Sequence, residues 1–427
     1  TACPQFCKQT AMDTQLADWI KDTPDGKAAD AILRKCVHCG FCTATCPTYQ
    51  ILGDELDSPR GRIYLIKQVL EGKQVTRKTQ QHLDRCLTCR NCETTCPSGV
   101  KYGQLIDIGR KIVDERVERP MSEKLTRESL KMLMTNRPMF TAGMAMGKAV
   151  RGMLPESIKK KVPAKRATLP FASTAHTRKV ILLKGCVQPA MMPSIDSATS
   201  VILDALGIQS MVVQESGCCG AVKFHLNDHA GGLAQMKTNI DAWYSLLQSG
   251  EAEALVMNAS GCGVTVREYA HHFENDAEYA AKAKLVSEKT LDIGEFITKQ
   301  NTDGLARLGT KVKAAIEQQR IPGTIAFHPP CTLQHGQQIK GVIENVLTTL
   351  GFKLTPVADS HLCCGSAGTY SVLQPELSKE LKKRKLANLM AGKPQAIASA
   401  NIGCLGHLES DATVDVRHWV EWVAQAV

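Results

Sequence analysis

Eight cysteines between positions 36 and 96 have the spacing of ligands for inorganic clusters. The run CVHCGFCTATCP starts at Cys36, the run CLTCRNCETTCP starts at Cys86, and both read Cys-x2-Cys-x2-Cys-x3-Cys-Pro. Each cysteine of the first run recurs 50 positions later, since 86 − 36 and 96 − 46 are both 50. Thiolates this close together bind thiophilic metals, and three neighbours followed by a fourth cysteine and a proline are typical of [4Fe–4S] sites. The two runs therefore predict one-electron transfer.

The two runs also predict which cysteines share a cluster. In bacterial two-cluster ferredoxins the fourth cysteine of each run ligates the cluster of the other run. On that pattern the predicted ligand sets are Cys36, Cys39, Cys42 and Cys96 for cluster 1, and Cys86, Cys89, Cys92 and Cys46 for cluster 2. Structural zinc is the alternative, but zinc sites are usually built from two separated pairs. A cubane with four cysteine ligands has no open position for substrate, so we predict electron transfer and no catalytic residue in these runs.

Basic residues flank the predicted ligands. These residues are Arg34, Lys35, Arg85, Arg90 and Lys101. Positive charge near a cluster raises its reduction potential. The alternative is that they form a solvated basic face with no influence on the clusters.

A second and larger repeat carries eight further cysteines. Cys186, the pair Cys218-Cys219 and Cys262 recur as Cys331, Cys363-Cys364 and Cys404, at offsets of 145, 145, 145 and 142. We predict two tentative metal sites, one in each half, which hold a cluster, a zinc ion or a redox-active disulfide. Three nearby histidines are further ligands, hydrogen-bond donors to sulfur or ordinary satisfied polar residues: His225, His328 and His361.

Apolar runs and helix-length segments alternate around these cysteines. VILLKGC, SMVVQESGCC and ALVMNASGC in one half match TIAFHPPC, KLTPVADSHLCC and AIASANIGC in the other. Three strands per half, each followed by a helix, favour parallel α/β units, and ligands of such sheets lie beyond the carboxyl ends of the strands.

Between the two runs of four cysteines, the segment SPRGRIYLIKQVLEG predicts a helix. Ser58 caps this helix, and Ile63, Ile66, Val69 and Leu70 lie on one face.

The predicted fold class is α/β plus a small α-helical module, in which an N-terminal two-cluster ferredoxin-like helical domain precedes two pseudo-repeated parallel α/β domains. The predicted boundaries are 1–30 for an N-terminal extension and helix, 31–119 for the ferredoxin-type domain, 120–175 for a Met-rich and basic linker, 176–305 for the first α/β domain and 306–427 for the second. Cys3 and Cys7 are expected to belong to the extension without a metal role. The linker carries either a short helix alone or, over residues 138–166, an amphipathic segment that touches a membrane or a partner subunit.

Composition excludes several classes of function. The 427 residues are 43% hydrophobic and 22% charged, as in soluble globular proteins. The net charge of +10 is spread widely and has no aromatic-rich binding motif beside it, so we predict no nucleic-acid partner. The 18 cysteines cluster too tightly for a secreted disulfide scaffold, and no apolar run is long enough to span a membrane. We expect a cytoplasmic protein whose contact with a membrane is peripheral.

The chain resembles the heterodisulfide reductase-like iron–sulfur proteins with CCG domains, and within them the iron–sulfur subunits of bacterial glycolate oxidases. The resemblance is carried by the two cysteine runs and by CTLQHGQ, SHLCCGSAGTY and ANIGC. It implies two [4Fe–4S] clusters that pass electrons from a flavin-containing catalytic subunit, which oxidises glycolate to glyoxylate, toward a membrane quinone at the cytoplasmic face of the inner membrane. It also implies an accessory flavoprotein-like subunit. This chain lacks the glycine-rich dinucleotide fingerprint, so we predict no flavin or NAD in it.

One departure from the family pattern leaves alternatives open. The full CCG motif ends in Cys-x-x-Cys, but Ala259 precedes Cys262 and Asn401 precedes Cys404 here. Disulfide reduction on a five-thiolate cluster is therefore disfavoured, although a four-cysteine site still suits an additional cluster or zinc. The alternatives are a catalytic heterodisulfide or quinone reductase, a component of a D-lactate-oxidising complex, and a zinc-containing scaffold.

Overall fold

The chain forms two compact units in a computed structural model that describes residues 12–183, 185–299 and 302–427. The N-terminal unit contains the chain up to Thr126 together with His361–Leu381, and the second unit contains Arg127–Ser360 and Lys382–Val427. Cys3 and Cys7, expected in an extension, lie outside the described residues.

The N-terminal module is built from short helices. In chain order they are α1 (Pro24–Leu33), α2 (Phe41–Ala44), α3 (Pro47–Leu52), α4 (Pro59–Leu70), α5 (Arg77–Asp84), α6 (Asn91–Thr95), α7 (Tyr102–Arg116) and α8 (Met121–Thr135), with a 3-10 turn at Glu55–Asp57. Its core is formed by fully buried side chains such as Leu33, Ile66, Leu83 and Leu105. These residues come from four different helices, so the core holds together the loops that carry the cysteines.

Helix α4 confirms the prediction for the segment between the two cysteine runs. The hydroxyl of Ser58 accepts the backbone N–H of Gly61 at 3.0 Å, and Pro59 occupies the first turn. The predicted apolar face is buried. A Cβ atom at Gly109 of α7 would lie 2.6 Å from Cγ1 of Ile66, which shows how closely α4 and α7 pack.

The remaining helices run through the rest of the chain. They are α9 (Arg137–Ala149), α10 (Glu156–Lys159), α11 (Gln188–Met191), α12 (Ser194–Ala205), α13 (Ala221–His225), α14 (His229–Gln248), α15 (Ser260–Arg267), α16 (Tyr269–His272), α17 (Ala280–Lys289), α18 (Ile293–Thr298), α19 (Thr302–Glu317), α20 (Val342–Leu350), α21 (Tyr370–Leu373), α22 (Pro375–Met390), α23 (Ile402–Glu409) and α24 (Trp419–Ala424). There are also a 3-10 turn at Arg151–Met153 and a π-helical turn at Thr332–Gly336.

Two four-stranded sheets confirm the predicted pair of parallel α/β repeats. The strands are β1 (Arg178–Leu182), β2 (Ile208–Met211), β3 (Leu255–Met257), β4 (Thr290–Asp292), β5 (Thr324–His328), β6 (Lys353–Leu354), β7 (Ala396–Ser399) and β8 (Asp415–His418). The orders are β2-β1-β3-β4 and β6-β5-β7-β8, with every pairing parallel. The sheets therefore have the same strand order, as the sequence repeat implies.

The prediction of three strands per half was wrong by one strand. The fourth strands, β4 and β8, have the sequences TLD and DVRH and lie at the edge of each sheet. Neither is an apolar run, because each is short, carries charge and pairs on one side only. Their pairing with β3 and β7 is a long-range contact that no local pattern signals.

The two α/β halves contact each other within the second unit. The backbone N–H of Gly261 donates to Oδ1 of Asn401 at 3.1 Å, and the amide nitrogen of Gln337 donates to the carbonyl of Ser260 at 3.1 Å. The hydroxyl of Ser194 lies 2.6 Å from a carboxylate oxygen of Glu421. Because Gly261 and Asn401 follow β3 and β7, the halves meet near the carboxyl ends of the strands.

The segment predicted as a linker with one short helix contains two longer helices, α8 and α9. Several of its methionines are exposed, Met146 by 68% and Met153 by 81%. Part of its basic run is neutralised within the second unit, because Arg166 pairs with Glu409 at 2.7 Å and Lys160 pairs with Asp411 at 2.6 Å. Among the described residues, no helix combines the length and apolar character needed to cross a bilayer.

Candidate cysteine-rich metal centres

The first cysteine group surrounds the start of α2. Cys36, Cys39, Cys42 and Cys96 line a cavity of about 430 Å³, its open mouth included. Burial, followed by the negative charge of Cys36, Cys96 and Cys39, raises the pKa of Cys42 to about 12. Burial also raises the pKa of Cys36, and the charges of Cys96 and Cys39 add to that rise. The four thiols assigned from sequence to cluster 1 are thus brought together.

The second group shows the reciprocal arrangement. Burial, followed by the charges of Cys89, Cys86, Cys46 and Cys42, raises the pKa of Cys92 well above its ordinary value. Cys46 precedes α3, although the other three cysteines belong to the second run. The fourth cysteine of each run therefore lies near the triplet of the other run. The assignment of the eight ligands to two clusters stays a prediction.

Left-handed backbone turns shape both cysteine runs. His38 and Gly40 have φ of 51° and 83°, and the residues 50 positions later, Thr88 and Arg90, have φ of 52° and 60°. The N–H of Thr88 donates to Sγ of Cys86 at 3.4 Å, and the N–H of His38 donates to Cys36 in the same way. Such turns direct successive N–H groups toward an anionic centre. Only Gly40 belongs to the residue type that signals this conformation, so the sequence pattern did not reveal the other three.

The residues present fit a [4Fe–4S] cluster at each group. Each group offers four thiols, the only ligand type that such clusters require, and backbone N–H groups that stabilise sulfur charge. Besides its sulfurs, the cavity of the first group is lined by apolar side chains, among them Val37, Ile63 and Val100, and by the polar residues His38, Arg60, Ser98 and Tyr102. Because burial raises the pKa of Cys36, Cys42 and Cys92, metal binding at these three thiols has to displace their protons.

A buried cation lies beside the second group. The Arg62 side chain is 1% exposed, and its guanidinium donates to Asp57 at 3.2 Å, to Thr48 at 3.1 Å and to the carbonyl of His82 at 2.7 Å. Oγ1 of Thr48 in turn lies 3.2 Å from Sγ of Cys46. Burial alone lowers the pKa of Arg62, but the negative charges of Tyr102, Cys86, Cys46 and Asp57 outweigh burial and raise it.

Three of the five flanking basic residues of the sequence pattern form ion pairs with carboxylates. Arg34 pairs with Asp30 at 2.8 Å, Arg85 with Asp57 at 2.8 Å and Lys101 with Glu93 at 3.7 Å. Their influence on the clusters stays a prediction. The cations whose charge acts on the thiols are Arg60, near Cys36 and Cys42, and Arg62. Sequence reasoning missed both, since they lie on α4 and are distant from the cysteines along the chain.

The four cysteines of the first α/β half form a connected set of thiols. Hydrogen bonds link Cys186 to Cys218, Cys218 to Cys219, and Cys219 to Cys262. The hydrogen bonds from Cys186 and Cys219 lower the pKa of Cys218 strongly. The pKa values of the two donors, Cys186 and Cys219, are raised. A thiolate flanked by thiols suits a metal or a thiol–disulfide reaction, and the choice between them stays open.

Two polar side chains that the sequence did not signal hold the Cys218-Cys219 pair in place. The amide of Asn239, on α14, accepts the N–H of Gly217 at 2.8 Å and donates to the carbonyl of Cys218 at 2.8 Å. The hydroxyl of Tyr269 donates to the carbonyl of Cys219 at 2.9 Å. Both side chains are buried, so the backbone of the pair is fixed before any ligand binds.

The cysteines predicted for the second site are divided between the two compact units. Cys331, after β5, and Cys404, in α23, belong to the second unit, whereas Cys363 and Cys364 belong to the N-terminal unit. Within the N-terminal unit, the hydroxyl of Tyr370 donates to the carbonyl of Arg85 at 3.0 Å. The second tentative site therefore stays a prediction.

The three histidines differ in their surroundings. His225 lies edge-on to Phe224, with ring centroids 6.2 Å apart, and the carbonyl of His361 accepts the amide of Asn91 at 3.4 Å. His328 ends β5 and is fully buried.

Comparison with known proteins identifies the kinds of domain to which these cysteines belong. The model of the 4Fe-4S dicluster domain matches residues 32–100, and the model of the cysteine-rich domain, CCG, matches residues 180–267 and 325–409. The chain is 51% identical over 417 residues to the glycolate oxidase iron-sulfur subunit of Escherichia coli strain K12, which covers 97% of this chain and 99% of that relative. The chain belongs to the family of glycolate oxidase iron–sulfur subunits.

Other members and relatives of this iron–sulfur family are less similar. The probable glycolate oxidase iron-sulfur subunit of Bacillus subtilis strain 168 is 29% identical over 404 residues, which is 87% of each chain. Lactate utilization protein A of Bacillus velezensis is 28% identical over 252 residues, which is 57% of this chain and 98% of that protein. The family and both domain matches thus support an iron–sulfur component of an oxidoreductase complex.

Proposed function

We propose that this chain is the electron-transfer subunit of a glycolate oxidase complex. A flavoprotein subunit oxidises glycolate to glyoxylate, which releases two electrons and two protons, and a membrane quinone accepts them. The observation that carries the proposal is that the fourth cysteine of each run lies near the first three of the other run, which supports the two predicted ligand sets. These sets are Cys36, Cys39, Cys42 and Cys96 for one cluster, and Cys86, Cys89, Cys92 and Cys46 for the other. When bound there, [4Fe–4S] clusters supply reversible one-electron transfer.

The side chains around the two groups suit a relay. Tyr102 is buried and its hydroxyl donates to Sγ of Cys86 at 3.6 Å, while Arg62 places a fixed positive charge near Cys46 and Cys86. Donors and positive charge near sulfur favour the more negative, reduced state of a centre. The hydrogen bond from Tyr102 and the charge of Arg62 therefore favour reduction of a bound cluster, and neither requires a substrate pocket.

Replacing one cysteine from each triplet tests the proposal in the assembled complex. We expect Cys36→Ala and Cys86→Ala each to abolish electron delivery from glycolate to quinone while glycolate still reduces the flavin, because only the relay is interrupted. Stopped-flow absorbance of the flavin and a quinone-reduction assay separate the two steps. Thr45→Ser, adjacent to Cys46, is the matched control and should leave both rates unchanged. Quinone reduction at the wild-type rate in either cysteine variant would refute the proposal.

The substrate of the complex is proposed from the family. Glycolate is the substrate in the names of the relatives that cover most of this chain, and lactate appears in the name of relatives that match about half of it. A D-lactate-oxidising complex is therefore the alternative. The choice between the two acids lies with the flavoprotein subunit, because the thiol groups of this chain contact no substrate in the proposed relay.

The proposed location is peripheral, at the cytoplasmic face of the inner membrane. An accessory flavoprotein-like subunit completes the proposed complex. The exposed methionines of α9 and of the turn after it, Met139, Met146 and Met153, form an apolar surface that suits contact with a partner subunit or a membrane. The ion pairs of Lys160 and Arg166 reduce the positive charge that the same segment offers to anionic lipid.

A second candidate function, thiol–disulfide chemistry in the first α/β half, is favoured by one observation. Cys218 is a low-pKa thiol hydrogen-bonded to two others, which is the environment of an attacking thiolate. The absence of the first cysteine of the closing motif, where Ala259 stands, argues against the five-thiolate reaction. The relay therefore remains the proposed function.

A further inference from the structure

His328 is a buried histidine whose ring lacks hydrogen-bond partners. It ends β5, a central strand of the second sheet, and its side chain is 1% exposed. Neither Nδ1 nor Nε2 has a partner among the described residues, 12–183, 185–299 and 302–427. The backbone of the residue is fixed, since the hydroxyl of Ser399 donates to its carbonyl at 2.9 Å. Buried polar atoms are nearly always satisfied, so two orphan ring nitrogens indicate a missing ligand.

The thiol of Cys404 lies within reach of this ring. A ring nitrogen of His328 and Sγ of Cys404 lie within 4.8 Å of each other, and both residues belong to the second unit. Cys404 is buried in the first turn of α23, which follows β7, the strand beside β5. Two ligands of one tetrahedral ion, each about 2.0–2.3 Å from it, lie roughly 3.5 Å apart. Only a small side-chain movement is needed for both to bind the same ion.

The electrostatic surroundings keep the imidazole neutral. Burial, followed by the positive charges of Lys385 and His407, lowers the pKa of His328 well below its ordinary value. The ammonium group of Lys385 is itself buried and donates to the carbonyl of Asp359 at 2.7 Å and to that of Ser360 at 3.3 Å. A neutral ring offers the lone pair that a metal requires.

The first half of the repeat lacks this feature. The offset of 145 places Leu183 at the position that corresponds to His328, and Leu183 is buried in the apolar core. The first half therefore offers thiols alone, in the connected set that contains Cys186 and Cys262. Two domains with matching strand orders thus present different donor atoms.

We propose that His328 is a metal ligand and that, with Cys404, it forms a mixed nitrogen and sulfur site for a thiophilic metal, either zinc or an iron of an iron–sulfur centre. Imidazole nitrogen and cysteine sulfur are the donors that such metals take in proteins. The sequence repeat supplies Cys331, which also belongs to the second unit, as a further predicted ligand. This site is additional to the proposed relay and does not depend on the eight ferredoxin-type cysteines.

The test uses the full chain, purified anaerobically, and compares wild type with His328→Leu. Leucine is the residue of the first half, so the variant keeps an apolar packing partner while it removes the nitrogen. Elemental analysis of iron and zinc and X-ray absorption at both metal edges report the metal and its nitrogen ligand. We expect the variant to lose one metal centre per chain and the nitrogen ligand, with the two ferredoxin-type clusters retained in its electron paramagnetic resonance spectrum.

Two further variants separate ligation from folding. His328→Cys replaces nitrogen by sulfur, so it should retain the metal and lose only the nitrogen ligand. His418→Gln removes a buried histidine at the end of β8, which lies beyond β7 in the same sheet. Its Nδ1 already accepts the N–H of Val420 at 3.3 Å, so this variant should leave the metal content unchanged. Wild-type metal content and an unaltered absorption spectrum in folded His328→Leu would overturn the proposal. So would a wild-type chain whose only metal is the iron of the ferredoxin-type clusters.

Discussion

Arg62 shows how single residues tune a cysteine group. Its guanidinium is buried with the carboxylate of Asp57, which also accepts Arg85 at 2.8 Å. A buried pair of this kind contributes little net stability, but the loss of one partner leaves an uncompensated charge in a medium of low polarity. The network therefore holds Arg62 next to Cys46 and Cys86 at a fixed distance, and its charge acts on whatever those thiols bind.

We expect Arg62→Gln to lower the reduction potential of the second cluster and to reduce the free energy of unfolding by about 3 kcal/mol. Both effects follow from the loss of one buried positive charge beside sulfur. A redox titration followed by electron paramagnetic resonance, together with denaturant unfolding, measures them. Arg178→Gln is the control, because Arg178 is an exposed residue at the start of β1 in the second unit and pairs with partly exposed Glu253 at 2.7 Å. Equal reduction potentials of the second cluster in wild type and Arg62→Gln would contradict the proposed influence of Arg62 on that cluster.

We expect the buried carboxyl of Asp292 to make the free energy of unfolding depend on pH. Burial raises the pKa of this carboxyl from its ordinary value of 3.8 to about 7. Between these two values the folded chain holds a proton that the unfolded chain has released, so the free energy of unfolding falls as the pH rises through this range. The stabilisation is fully present below pH 3.8 and is lost above about pH 7, with a total of up to about 4 kcal/mol.

We expect Asp292→Asn to remove that dependence and to preserve the helix cap. Oδ1 of Asp292 accepts the N–H of Gly294 at 2.8 Å at the start of α18, and asparagine caps helices equally well. Unfolding in denaturant at pH 4, 5.5 and 7 measures the difference between wild type and variant. If the difference in unfolding free energy between wild type and Asp292→Asn did not change with pH, Asp292 would be ionised in the folded chain.

At the scale of elements, the left-handed turns decide how the cysteine runs wrap. Gly40 has φ of 83°, and a Cβ atom there would lie 3.0 Å from Nη1 of Arg60. We expect Gly40→Ala to cost about 1–2 kcal/mol and to lower the occupancy of cluster 1, because Cys39 and Cys42 flank the turn. Iron content and unfolding free energy test this. Gly143→Ala, in α9 with open space around it, should be neutral or stabilising.

The elements that the sequence predicts well are those with a local cause. Helix α4 combines a serine cap, an N-terminal proline and an apolar face, and all three are present in the structure. Strands β4 and β8 and the left-handed turns at Thr88 and Arg90 escape prediction. Contacts distant along the chain stabilise these features, and those contacts outweigh local residue preference.

At the scale of the whole molecule, the segment His361–Leu381, which is part of the second repeat in sequence, belongs to the N-terminal unit. It contains the Cys363-Cys364 pair, and its contacts within that unit include the bonds of Tyr370 with Arg85 and of His361 with Asn91. The sequence repeat predicts domains that follow one another along the chain. In the folded chain, however, residues 361–381 belong to the same compact unit as the N-terminal residues. Repeats and spacing locate the cysteines, whereas Arg62, Asn239 and Tyr269 become evident only once the fold brings them to the sulfurs.

The most direct test of the relay is the iron and sulfide content of the full chain after anaerobic purification, with its electron paramagnetic resonance spectrum after reduction. We expect a brown protein with at least about eight irons and eight acid-labile sulfides per chain, and two [4Fe–4S] signals close enough to broaden each other. Cys46→Ala should remove the signal that Cys86→Ala also removes, and leave the other. A colourless, iron-free chain would contradict the proposed relay.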